Sequence, residues 1–157
     1  MTIDLPAQAD RPRWTELWRD YLAFYKTTLP DAQFDYSWSR IMAGTIHCRL
    51  ARLDGHPIGL VHFLYHESAW TMRPTCYLQD LYTDPVARGK GVGRALIENV
   101  SADARTKGAS RMYWLTQSEN TTARLLYDRL ATYSGYIRYD YPLAEPTDLT
   151  ARPPNRD

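Results

Sequence analysis

Several protein classes are excluded by what this sequence lacks. Only two cysteines, Cys48 and Cys76, stand among 157 residues, with no C-x-x-C pair. That rules out a disulfide scaffold and a thiolate metal knot. Both lie in strand-like stretches and read as buried free thiols of a reducing compartment. No apolar run approaches the ~20 residues that span a bilayer, and the opening MTIDLPAQADRPRW has no signal-type h-region. The expected location is the cytoplasm, without a membrane partner. Charge of one sign is missing too. A net charge of +1 argues against nucleic acid as a partner, because general binders rely on many uncompensated phosphate contacts. Histidine is scarce, and His62 and His66, four apart on one strand face, are too distant for an easy two-ligand site. They read as packing or pocket residues, and no metal is expected.

Aromatic residues are abundant: 12 Tyr, 5 Trp and 3 Phe make up 13% of the chain. Such a load points to a bulky core, an apolar cleft or a subunit interface, and composition does not separate these. The length suits one domain, expected over 1–145, with the polar, Pro-rich residues 146–157 as a flexible tail.

Periodicity organises the chain. Trp14, Leu17, Trp18, Tyr21, Leu22 and Tyr25 recur at i, i+3, i+4, i+7, i+8 and i+11, which predicts an amphipathic helix closed by Pro30. Phe34, Trp38 and Ile41 predict a second helix ending near Gly44, and residues 1–10 read as a loose leader. Strands are predicted at 45–53, 58–70 and 75–84, with a hairpin at Asp54-Gly55 and a turn around Arg73-Pro74. A helix then runs to Gly108, a strand covers 110–117, a helix with Leu126, Leu130 and Tyr133 on one side ends at Gly135, and a last strand covers 136–143. Antiparallel strands followed by strand–helix–strand imply an α+β fold, with a mixed sheet whose parallel pair comes from 75–84 and 110–117.

At the carboxyl end of the first of these parallel strands, where ligands gather in such sheets, stands LQDLYTDPVARGKGVGRALIE. Its Gly89-Lys90-Gly91-Val92-Gly93 lacks the Lys-Ser/Thr of a P-loop, and Arg94 occupies the third-glycine place of a dinucleotide loop. The physics is shared with both. Glycines let backbone approach an anion, and first-turn N–H groups of a helix have no internal acceptor. Arg88, Lys90 and Arg94 form a local basic cluster suited to a small anionic ligand.

From Arg88 to Gly93 the pattern is R-x-x-G-x-G, between a hydrophobic strand and an amphipathic helix. It resembles the acyl-CoA loop of the GCN5-related N-acetyltransferases (GNAT). Asn120 precedes Tyr127 by seven residues, the spacing at which that family places a CoA-contacting Asn and an active-site Tyr. The stretch YLQDLYTD resembles the fourth strand of the polyamine and thialysine acetyltransferase branch and of yeast Hpa-type enzymes, where Y-L-E-D is usual. The likeness covers 45–141 closely.

The resemblance implies the GNAT fold, whose parallel pair is splayed, and acetyl-CoA as cofactor. The pyrophosphate would rest on Arg88, Gly89, Lys90, Gly91, Val92, Gly93 and Arg94. The pantetheine arm would run along Leu81, Tyr82 and Thr83, met by Asn120, Thr121, Thr122 and Ala123. It makes Tyr127 the general acid. Gln79 takes the place of the relatives' glutamate, and its amide cannot accept the ammonium proton. Asp80 or Glu67 could serve instead, directly or through water, with Asp80 the nearer carboxylate. Alternatively the acceptor has a lower pKa, as an α-amine does at about 8, or the site is catalytically silent. Tyr25, Tyr36, Trp38, Tyr65 and Glu67 are the candidates for the acceptor side. The expected activity is acetyl transfer to the primary amine of an amino acid or polyamine-like compound. Protein lysines or N-termini, and a non-catalytic acyl-CoA sensor, are the alternatives. The family often dimerises, so a homodimer is expected.

Overall fold

Helical spacing of tryptophans and leucines against an alternating strand pattern produces a sheet with helices on both faces. The computed structural model describes residues 1–141 and residue 143. They fall into two compact units, Met1–Leu115 and the chain from Thr116 onward. In the first, α1 (Arg11–Phe24) carries Pro12 in its opening turn and buries Trp14, Leu17 and Trp18. Helix α2 (Asp31–Met42) enters from Pro30 and buries Phe34, Ser37, Trp38 and Ile41.

Five strands follow the order β1-β2-β3-β4-β5: β1 (Thr2–Asp4), β2 (His47–Leu53), β3 (His56–Ser68), β4 (Thr71–Thr83) and β5 (Arg111–Trp114). All neighbours are antiparallel except β4 and β5, which are parallel. The architecture is the mixed α+β one expected. Cross-strand pairs set out its layers. Leu50, Leu60 and Tyr82 form one row, and Cys48, His62 and Asp80 form the next. Both face α1 and α2, whose tryptophans fill the space. The Trp14 ring lies 5.1 Å from Trp18 and 5.0 Å from Trp38. The opposite face carries α3 (Val92–Thr106), which buries Val92, Leu96, Ile97, Val100 and Ala104.

Gly59 shows how closely α3 lies. A Cβ there would fall 2.9 Å from the Tyr82 carbonyl oxygen and 3.1 Å from Val92 Cγ1. Gly59→Ala is therefore expected to destabilise the fold by ~1–3 kcal/mol through overpacking. A thermal melt should show Tm falling by several degrees, and an unchanged Tm would contradict this packing.

Four expectations are corrected. The leader is not loose: β1 pairs with β2, and Arg52 fastens it with 2.8 Å bonds to Asp4 and to Asp10 in a short 3-10 turn. A three-residue strand held by a distant arginine leaves no periodic signal. The β3–β4 turn lies at Ala69-Trp70, not at Arg73-Pro74. Pro74 is accommodated inside β4 because the ladder is irregular there, passing from His66↔Thr75 to Ser68↔Thr71, so its missing N–H costs no regular bond. The Asp54-Gly55 hairpin forms as expected, with φ of 50° and 81° at its two central residues.

In the second unit, α4 (Thr121–Leu130) stops before Tyr133 and Gly135, because Ala131 is already extended. The last strand, expected over 136–143, is not formed over 136–141, where Tyr136, Ile137, Tyr139 and Tyr141 are exposed. Alternating residues become a strand only against a partner edge. Pro142 and the tail expected over 146–157 lie outside the described residues. Among the described residues no helix is long and apolar enough to cross a membrane.

Candidate active site

The β4–β5 ladder runs from Thr75↔Arg111 to Leu78↔Trp114 and ends there. Beyond it β4 continues to Thr83 with no β5 partner. On its other edge, His62 pairs with Asp80 but Phe63 with Leu78, so Gln79 is the extra residue of a β-bulge. A bulge bends its strand and disrupts the ladder locally. Here it sits one residue past the last parallel pair, where the sheet opens. Leu81, Tyr82 and Thr83 lie in the part of β4 that β5 does not pair, and Gln79 is exposed.

The chain leaves β4 through a braced corner. Asp84 N–H donates to Ile58 O at 2.9 Å, and Asp84 Oδ1 accepts from Val86 N at 3.1 Å. Arg13 from α1 pairs with the remaining oxygen. Burial raises the Asp84 pKa, but the Val86 N–H and Arg13 outweigh it and hold the carboxyl below its usual range. Then the glycines act. Gly89 and Gly91 take φ of 74° and 78°, and Gly91 caps α3, with Gly93 inside the first turn. The first helical bond is Ala95 N–H to Gly91 O at 3.0 Å. The N–H groups of Val92, Gly93 and Arg94 therefore have no helical acceptor. The Val92 side chain is 2% exposed and anchors this end in the core. A Cβ added at Gly89 or Gly91 would meet nothing within 4 Å, so the face above the loop is open. Lys90 is exposed, Arg94 pairs with Glu98 at 3.4 Å, and Arg88 donates to Thr83 O at 3.3 Å. Free N–H groups at a helix start, an open face and three flanking cations suit a pyrophosphate.

On the α1 side of the opening, the structure joins residues that the sequence had listed apart. His62, 3% exposed, holds Asp80 Oδ2 at 2.9 Å through Nδ1 and accepts the Trp14 indole N–H at 2.9 Å through Nε2. Asp80, with a 12% exposed side chain, is thus no solvated carboxylate. Tyr21 lies beside it. Burial and the nearby Asp80 carboxylate push the Tyr21 phenol far above its ordinary value, so it remains a protonated donor. Tyr25, half-buried at the end of α1, packs against Tyr21 with rings 5.0 Å apart. Helical spacing marked Tyr21 only as part of the apolar stripe of α1, one turn before Tyr25.

Other acceptor-side expectations are placed elsewhere. Trp38 is a core residue, 4% exposed, with its indole donating to Gln8 at 3.1 Å. Tyr65 is on the α3 face, its hydroxyl donating to Asp103 at 2.7 Å, opposite the side that holds His62 and Asp80. Tyr36 is exposed on α2 beneath Arg40, 4.4 Å from its ring. Glu67 is exposed near the far end of β3, past the Cys76 and Thr75 pairings. His66 meets the Tyr113 hydroxyl at 3.2 Å, separate from His62. Among the described residues no three His, Cys, Asp or Glu side chains gather as metal ligands.

Within the second unit, Asn120 caps α4 and its amide donates to Thr116 Oγ1 at 3.2 Å. The first helical bond there is Arg124 N–H to Asn120 O at 3.0 Å. Thr121, Thr122 and Ala123 form the first turn, with the threonines exposed. Tyr127 follows two turns after Asn120 and is half-buried.

This chain matches the model of the acetyltransferase (GNAT) family over residues 12–132. It is 34% identical over 134 residues to the D-amino-acid N-acetyltransferase HPA3 of Saccharomyces cerevisiae, covering 83% of each chain. It is 35% identical over 94 residues to the thialysine N-epsilon-acetyltransferase of Sus scrofa, spanning about half of each chain, 54%. The structure of a ribosomal-protein-alanine N-acetyltransferase from Brucella melitensis biovar Abortus 2308 has the same fold, with a TM-score of 0.76 at 22% identity over 91% of this chain and 100% of that one.

Proposed function

The chain belongs to the acetyltransferase (GNAT) family, and from that premise we propose that it transfers the acetyl group of acetyl-CoA to the primary amine of a small molecule. The bulge at Gln79 carries this reading, because it opens β4 beside the glycine loop and puts Asp80 next to the opening. When bound, acetyl-CoA supplies the thioester carbonyl that the amine attacks and the thiolate that leaves. The N–H groups of residues 89–94, with Arg88, hold its pyrophosphate, and the β4 edge at Leu81, Tyr82 and Thr83 holds its amide arm. The family resemblance assigns Asn120, Thr121, Thr122 and Ala123 a part in binding CoA.

Asp80 takes the proton. An alkyl ammonium of pKa about 10.4 is almost wholly charged at neutral pH and must lose a proton before it attacks. The N–H bond breaks toward a carboxylate oxygen of Asp80, directly or through one water, and the proton later leaves to solvent. Gln79 does not titrate, and its role is to hydrogen-bond the amine or that water. Tyr127 supplies the proton that the departing thiolate needs, on the strength of its two-turn spacing from Asn120.

The acceptor is best read as an amino acid. The groups placed beside Asp80 are His62 and Tyr21, whereas a polyamine pocket needs several carboxylates. An amine carrying its own carboxylate tolerates this neutral setting, and HPA3 is named for D-amino acids. Tyr21 and Tyr25 would flank it. Thiol release with acetyl-CoA and a panel of D- and L-amino acids, polyamines and lysine peptides tests the reading. Amino acids should be turned over fastest. Tight CoA binding with no amine accelerating release would leave a binding protein.

Gly91→Asp is expected to weaken acetyl-CoA binding at least tenfold by calorimetry. Its φ of 78° is costly for a residue with a Cβ, and a carboxylate would repel the pyrophosphate. Unaltered affinity would remove the loop from the cofactor site.

A further inference from the structure

Asp80 is half of a buried arrangement whose other half has no place in the scheme above. Trp14 is fully buried on α1, His62 is buried on β3, and Asp80 is on β4. Trp14 Nε1, His62 and Asp80 Oδ2 are linked by two contacts of 2.9 Å. An indole N–H can only donate, so His62 Nε2 must be the acceptor and Nδ1 must carry the ring proton. Nδ1–H then donates to Asp80. Burial disfavours a charged ring, and Asp80 and Cys48 together outweigh it and make His62 more basic than usual. The indole opposes that pull, since a second proton on Nε2 would face the Trp14 N–H. The groups turned toward the pair are Cys48 from β2, Trp14, Trp18 and Tyr21 from α1, and Tyr77 from β4 by way of Tyr21.

We infer that His62 is the positioning residue for Asp80: the Trp14 indole fixes its Nδ1–H form, and that N–H holds one carboxylate oxygen so that the other receives the amine's proton. This rests on Asp80 being the proton acceptor. A carboxylate on a freely rotating side chain would present either oxygen in several rotamers, and a displacement of about 1 Å is enough to cost ~10²-fold in rate. A buried polar pair serving only the core would affect stability without separating kcat from KM.

The test compares His62→Leu with His62→Asn, whose amide N–H can stand in for Nδ1–H. His62→Leu should lower kcat by ~10–100-fold with the KM for acetyl-CoA unchanged, and His62→Asn should recover most of that loss. An unchanged kcat in His62→Leu, or equal losses in both variants, overturns the proposal. Should His62→Leu fail to fold, 15N NMR of the wild-type protein decides. Nδ1 protonated and Nε2 bare supports the proposal, and the reverse tautomer or an imidazolium overturns it. Failure of the wild-type protein to acetylate any amine would sink the acetyl-transfer reading and this inference with it. A fully active His62→Leu enzyme would sink the inference alone.

Discussion

Asp80→Asn is expected to lower kcat by ~10²–10⁴ at neutral pH, the range for loss of general-base help. Asparagine has nearly the same shape, and its amide oxygen can still accept the His62 Nδ1–H that now reaches Asp80 at 2.9 Å. The buried neighbours therefore keep their partners, and the change falls on proton transfer. Two consequences separate this from general damage. The deficit should shrink as pH rises, because solvent then supplies the neutral amine that Asp80 no longer generates. It should also be smaller for an α-amine of pKa about 8 than for an alkyl amine of about 10.4. A pH profile of kcat/KM for both amine types measures each. Wild-type turnover in Asp80→Asn, or a deficit unaffected by pH, would place the base elsewhere.

How far this site could be foreseen depended on whether its parts lay along one stretch of chain. The glycine loop was legible because Gly89, Gly91 and Gly93 alternate within five residues and their work, left-handed backbone at the first two and a helix start, is local. Helix α1 was legible for the same reason, as was the hairpin at Asp54-Gly55. The bulge was not. Gln79 looked like a neutral replacement in a regular strand, and only the register against β3 shows that it has no cross-strand partner while Asp80 faces His62. Trp14 and His62 are separated by 48 residues, so helical spacing could mark Trp14 as core without showing what its N–H meets. Tyr65 and Trp38 erred the other way. Both had the aromatic character of a pocket, yet the ladder turns Tyr65 toward α3 and its Asp103, and the helix packing turns Trp38 inward. Residue type was informative about chemistry, whereas the face it served was set by partners far away in sequence.

The second large effect concerns the other proton. Tyr127→Phe is expected to reduce kcat by ~10²-fold or more, with little change in the KM for either substrate. A phenol of pKa about 10 is a weaker acid than a thiol of about 8.5, so it donates only as charge develops on the departing sulfur. Its contribution is therefore absent from the ground state and should leave binding untouched. Phenylalanine keeps the ring on this half-buried helix position, between Leu126 and Leu130 on the same chain. The contrast with Asp80→Asn makes the assignment sharp. Raising the pH supplies neutral amine and should rescue Asp80→Asn, but it offers a departing thiolate no proton and should not rescue Tyr127→Phe. Turnover of Tyr127→Phe equal to wild type would remove Tyr127 from the mechanism. A deficit that disappears at high pH would assign it to the amine's side of the reaction, where Asp80 stands.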